Sequence, residues 1–241
     1  NPKESSIEYA FYISQGSISK LLLSVKSVDI NYQYPQNVPI HANDKNLSRY
    51  TFYNNTSSIF DTYTYETPLL RAVKAKDVEK VKLLIEHPSL NHVKSLMIGS
   101  IFESIKNDDI KIFNILLKTI DNNVNICNDC QTSLLIASIC RSSKRICEEI
   151  LKSEKFDTKQ NNIVFAFTKC LQEETFSIDI ANLLIDFDSK HEHLIDFNTQ
   201  IPSGDTYLTL LKNNYQIDSK KIEFLFKHGA DPNIPDKNGL Y

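Results

Sequence analysis

The amino-acid sequence predicts an all-α solenoid of paired antiparallel helices with turns projecting to one side. Three observations carry this expectation. Apolar residues fall at spacings of three and four in segments such as Asp77–Glu86, Ile110–Lys118 and Ile178–Asp186, the pattern of a helix with one buried face. Few stretches alternate apolar and polar residues as a strand requires. Apolar pairs also recur near the ends of these helices: Leu21-Leu22, Leu83-Leu84, Ile115-Leu116, Ile150-Leu151, Leu183-Leu184 and Phe224-Leu225. From the second pair onward the steps are 32, 35, 33 and 41 residues. A period near 33 belongs to stacked helix pairs that lean on their neighbours, not to one globular core.

Taken in order, the repeats fall at about 5–33, 63–95, 96–128, 129–160, 161–199 and 201–235, in a single domain covering 1–241. The step from the first pair to the second is 62, nearly twice the period. The surplus lies at about 34–62, a polar stretch with Pro35, Pro39 and many Asn, Ser and Tyr, and reads as a loop inserted between repeats one and two. The long last step places a second surplus in the polar stretch Asp188–Gly204. Residues 236–241 open a further repeat. The chain begins at Asn1 without methionine and stops inside that turn, so it is expected to be a piece of a longer protein.

The local chemistry agrees. Thr67 is a good N-cap, and Pro68 sits at the first helical position, where a missing N–H costs nothing. Gly229 follows a last helical turn, where a left-handed residue ends a helix cheaply. Glu66-Thr67-Pro68-Leu69-Leu70-Arg71-Ala72-Val73 followed by Val81-Lys82-Leu83-Leu84-Ile85 resembles the ankyrin repeat. Thr132-Ser133-Leu134-Leu135-Ile136-Ala137 looks like the same motif with Ser at the proline position. Phe224-Leu225-Phe226-Lys227-His228-Gly229-Ala230-Asp231-Pro232-Asn233 is similar to that family's second-helix ending, Asp236-Lys237-Asn238-Gly239 to the start of its next turn, and Val28-Asp29-Ile30-Asn31 to the same helix exit in the first repeat. Leu70 and Leu135 stand where the family usually has His. Ser104, Cys170 and Leu211 stand where it has the small residue supplied by Ala72 and Ala137. From Cys170 to Leu183 is 13 residues, against 11 from Ala72 to Leu83, so the turn inside repeat five is longer.

Composition narrows the function. The chain has 241 residues, a formal charge of −3, 41% hydrophobic residues and 5 glycines. That supports a folded core and disfavours both a basic nucleic-acid stripe and glycine-rich phosphate loops. No apolar run approaches the length of a membrane span. Five cysteines in no secreted framework point to a reducing, intracellular and cytoplasmic setting.

Cys127-Asn128-Asp129-Cys130 is the only CxxC, lacks two further ligands at finger-like spacing, and reads as part of the turn joining repeats three and four. His191-Glu192-His193 reads as solvated loop, while His87 and His228 close second helices and are expected to cap their carbonyls. Glu148-Glu149, Glu173-Glu174, Asp108-Asp109 and Lys220-Lys221 read as solvated helix faces. No catalysis, cofactor or structural metal is expected.

The resemblance implies a scaffold that binds another protein, as a monomer, through a concave surface of first helices and projecting turns. The candidate contacts are Tyr63, Tyr65, Glu66, Arg71 and Lys74 in repeat two, Glu103, Lys106 and Asn107 in repeat three, and Asn128, Asp129 and Gln131 in repeat four. Tyrosine and arginine are favoured at binding hot spots. The alternative is a regulatory or targeting segment of a larger enzyme or effector whose catalytic part lies outside this chain.

Overall fold

The computed structural model describes residues 16–25, 30–31, 34–35, 65–90, 94–128, 130–212 and 218–239, with backbone only at 34–35, 65–66 and 94–96. The chain divides into two compact units, residues 1–137 and 138–241. The first holds α1 (Ser17–Leu23), β1 (Tyr34–Pro35), β2 (Tyr65–Glu66), α2 (Pro68–Lys74), α3 (Val78–Ile85), α4 (Lys94–Lys106) and α5 (Ile110–Lys118). The division falls within α6 (Leu134–Cys140). The second unit holds α7 (Lys144–Leu151), α8 (Ile163–Gln172), α9 (Ile178–Lys190), α10 (Tyr207–Lys212) and α11 (Ser219–Lys227).

In the first unit α2 pairs with α3 and α4 with α5, while α2 packs on α4 and α3 on α5. In the second, α8 pairs with α9 and α10 with α11, while α7 packs on α9 and α8 on α10. Within each unit, first helices therefore stack on first helices and second on second, as a solenoid requires.

The second helices of repeats two to six begin at equivalent positions. The carboxylates of Asp77, Asp109 and Asp218 and the hydroxyl of Ser177 accept early backbone N–H groups at 2.9–3.3 Å, and Ser143 holds the same place. Seven residues beyond these caps lie Leu84, Leu116, Ile150, Leu184 and Leu225, all fully buried. The true steps are thus 32, 34, 34 and 41, and in repeat four the equivalent residue is the first member of its pair, not the second.

The first helix of repeat four is shifted in the same way. Lys76, Asp108 and Ser142 adopt positive φ in the inner turns, and the next residue's N–H returns to the carbonyl of Ala72, Ser104 and Ser138 at 2.9–3.0 Å. Ser138, not Ala137, is therefore the counterpart of Ala72. Ser133, not Thr132, is the counterpart of Thr67: Thr67 Oγ1 accepts from Leu70 N at 3.1 Å and Ser133 Oγ from Ile136 N at 3.3 Å. Thr132-Ser133 offers two adjacent hydroxyl caps with no proline to choose between them. The choice is made by a short hairpin in which Cys127 pairs with Ser133 and the carbonyl of Thr132 accepts from Asn128 N.

The turn inside repeat five spans 173–177, two residues more than 75–77, 107–109 or 141–143, as the spacing predicted. It is tied on both sides. Ser142 Oγ lies 3.3 Å from the Thr175 carbonyl, Cys140 Sγ donates to Glu173 Oε1 at 3.2 Å, and Lys221 Nζ donates to the Glu173 carbonyl at 2.7 Å. Lys221 is consequently buried, whereas its neighbour Lys220 is exposed, so the pair is not one solvated face.

The histidines exchange their expected roles. His191 Nδ1 meets the Phe187 carbonyl at 2.6 Å and its ring stacks on Phe187 at 4.0 Å, so the HxH segment, exposed as expected, also caps α9. His87 reaches the carbonyl of Leu23 on α1 (3.3 Å from Nε2), while its Nδ1 accepts from Ser89 N; the N–H of Ser89 can only donate, which places the ring proton on Nε2. His228 stacks on Phe197 at 5.5 Å. Carbonyls at the end of α11 are already taken by the backbone: Gly229 N donates to Phe226 O and Ala230 N to Leu225 O, the two bonds of a Schellman ending. Gly229 has φ 85°. Gly229→Ala meets no steric neighbour, yet is expected to cost about 1 kcal/mol from the left-handed backbone alone. An unchanged thermal midpoint would show that this ending tolerates a Cβ.

The inserted segment is joined at its base. Tyr34 pairs with Glu66 and Pro35 with Tyr65 in a two-residue antiparallel ladder, the short strands that periodicity could not show. Two residues make no independent sheet, and the class remains all-α.

Candidate recognition surface

Two sequence-predicted residues, Tyr63 and Asp129, lie outside the described residues. Tyr65 and Glu66 are placed by backbone only, in β2 beside the base of the insertion. The others divide into two groups.

Five meet where α2 and α4 end. Arg71 is half-buried and Lys74 exposed in the last turn of α2, and Lys106 is exposed at the end of α4. Asn107 ties the two repeats, its Nδ2 donating to the Val73 carbonyl at 3.0 Å and its own carbonyl accepting from Lys76 Nζ at 2.8 Å. Glu103 is buried, 8% exposed, with a carboxylate oxygen 4.0 Å from Lys106 Nζ. It serves the packing of α4 more than any outward contact. What the cluster presents outward is a cationic ridge of Lys74, Lys76 and Lys106 at helix C-termini, where the dipole favours positive charge.

Asn128 and Gln131 sit on the turn between α5 and α6. Asn128 is 5% exposed, and its Oδ1 accepts from Cys130 N and Thr132 N at 3.0 and 2.9 Å. Its side chain builds the turn, which is why it faces inward. Gln131 is exposed with φ 59°. Cys127 and Cys130 are free thiols at the surface of this same turn, and partial burial pushes the Cys127 thiol up. Cys140, Cys147 and Cys170 are buried, each pushed up to about 12 mainly by loss of solvation, so they remain neutral thiols at pH 7.

One surface residue escaped sequence reasoning. On α8 the residues Ile163, Ala166, Phe167, Cys170 and Leu171 form the buried stripe. Phe165 falls off that stripe, is 51% exposed, and has Lys169 Nζ 5.6 Å from its ring centroid. The signal was present: once the helix is phased on its stripe, an aromatic residue two positions from Ile163 has no core to enter.

The fold is all-α and of ankyrin type. The chain is similar to one chain of the solved complex between the predatory endopeptidase Bd0816 of Bdellovibrio bacteriovorus and immunity protein Bd3460, at 20% identity and TM-score 0.50, over 73% of this chain and 88% of that one. It is likewise similar to the ankyrin repeat protein EF0377, at 22% identity and TM-score 0.50, over 71% of this chain and 86% of that one. No protein-family model and no curated protein matches the chain. No helix among the described residues is long and apolar enough to cross a membrane.

Proposed function

We propose that the chain is a protein-binding scaffold without catalysis of its own, using the exposed faces of first helices and the projecting turns. Phe165 carries this reading. An aromatic ring half in water on a rigid first helix is an anchor at hand: it loses little conformational entropy on binding, and Lys169 beside it can meet a partner carboxylate. Arg71, Lys74, Lys106, Asn107 and Gln131 are the contacts proposed in the first unit, with Tyr63, Tyr65, Glu66 and Asp129 retained from the sequence. The similarity to a chain from an endopeptidase–immunity protein complex is compatible with a protein partner.

A pull-down with the intact chain that yields one saturable partner is the direct test. Phe165→Ala is then expected to weaken that complex by about 1–2 kcal/mol while leaving the helical circular dichroism unchanged. Equal affinity with an intact fold would move the surface away from α8.

A further inference from the structure

We infer a second docking site on the opposite helix layer, a slot between α9 and α11 that fits an acidic amphipathic helix of a protein partner. The slot follows from the repeat spacing. Two other pairs of second helices pack closely, α3 on α5 and α7 on α9, with caps 32 and 34 residues apart. From Ser177 to Asp218 the step is 41, and α9 and α11 approach less closely. A cavity of about 200 Å³ opens between them, lined by Ile178 and Asn182 from α9, by Lys220, Glu223, Phe224 and Lys227 from α11, and by His228 just beyond it.

The lining is two-sided in character. Ile178 is 45% exposed although it begins the helix, and Phe224 forms a buried floor. Between α7 and α9 the corresponding outer edge is closed by a salt bridge, Lys144 Nζ to Asp179 Oδ2 at 3.1 Å. That bridge engages the carboxylate adjoining Ile178, and no such pair among the described residues closes the slot beside α11. Lys220 and Lys227 there have no ion-pair partner among the described residues, and Glu223 is the single carboxylate in the lining.

Charge and spacing specify the occupant. Lys220 and Lys227 are seven residues apart on α11, two turns, hence on one face and separated by about 10 Å along the axis. An incoming helix with carboxylates at positions i and i+7 matches both ammonium groups. Its i+3 and i+4 side chains then fall over Ile178 above the Phe224 floor, and a leucine there removes the exposed carbon of Ile178 from water. This site is independent of the surface around Phe165.

The test uses the intact chain and two fluorescently labelled, acetylated helical peptides. One carries glutamates seven residues apart with leucines three and four places after the first; the other has lysine in place of each glutamate. Anisotropy should show saturable binding of the acidic peptide, weakened at least tenfold by the pair Lys220→Glu and Lys227→Glu and unaffected by Phe165→Ala. Asn182→Trp, which fills the slot from within and keeps both lysines, should also abolish binding with the thermal midpoint retained. Binding of the basic peptide with equal affinity, indifference to charge reversal, or no saturation by the acidic peptide would overturn the proposal. So would a change in the oligomeric state of the chain in place of peptide binding.

Discussion

Replacing Phe167 by alanine is expected to cost the second unit about 3–5 kcal/mol, the range for emptying a fully buried phenylalanine site. Phe167 lies at the centre of an aromatic cluster that joins repeats five and six. Its ring meets Tyr207 edge-on at 5.0 Å and Phe197 edge-on at 5.8 Å, and approaches Phe224 at 6.5 Å. Edge-to-face pairs add to area burial because the positive ring edge meets the negative face. Tyr207 is itself almost wholly buried, and burial pushes its phenol well above the ordinary tyrosine value, so the cluster remains neutral across physiological pH. Truncation leaves a cavity among rigid rings held by four different segments, which cannot collapse together. A urea midpoint lowered by the equivalent of 3 kcal/mol or more, with lost hydrogen-exchange protection in α8, α10 and α11, is the expected outcome. A cost below 1 kcal/mol would mean that the rings repack and that the cluster is not the centre of the unit.

The second large effect is expected at Asp188. This carboxylate is 4% exposed, and its two oxygens accept from Leu194 N and Ile195 N, each at 2.9 Å. Hydrogen bonds to a charged acceptor contribute more than neutral ones, and removing the acceptor strands both donors. Asp188→Ala is therefore expected to lose about 3 kcal/mol, taking 1.5 kcal/mol for each bond. Asp188→Asn keeps the shape but turns one acceptor into a donor, and should lose about half as much. The loop beyond α9 is further held by Thr158 Oγ1 donating to Glu192 Oε1 at 2.6 Å, so amides 193–196 should report the change before α9 itself does. If Asp188→Ala and Asp188→Asn are equally mild, the loop is secured by its other contacts and the carboxylate is incidental.

How much of the candidate surface was legible depends on where each side chain's partners lie. Lys74 and Lys106 end their helices and project outward, which phasing alone predicts. Glu103 and Asn128 are polar residues whose types suggest exposure; one is folded into the packing of α4 and the other into a hairpin. Their partners are Lys106 and the backbone of residues 130 and 132, and nothing in residue type announces a short loop closing over its own asparagine. Phe165 shows the opposite case, an outward aromatic that the stripe on its own helix already betrayed.

The sequence by itself determined the class and the longer turn inside repeat five, because these rest on local rules. A helix face, a capping oxygen and a two-residue difference in spacing act within one or two turns of chain. Tertiary structure decided the register of repeat four, the exchange of roles among the histidines and the slot beside α11. Thr132 and Ser133 are equally able to cap, and only the pairing of Cys127 with Ser133 selects between them. His87 finds its acceptor 64 residues away, at Leu23. Where two local solutions are nearly equal in energy, contacts from a distant segment tip the balance, and those contacts exist only once the repeats have stacked.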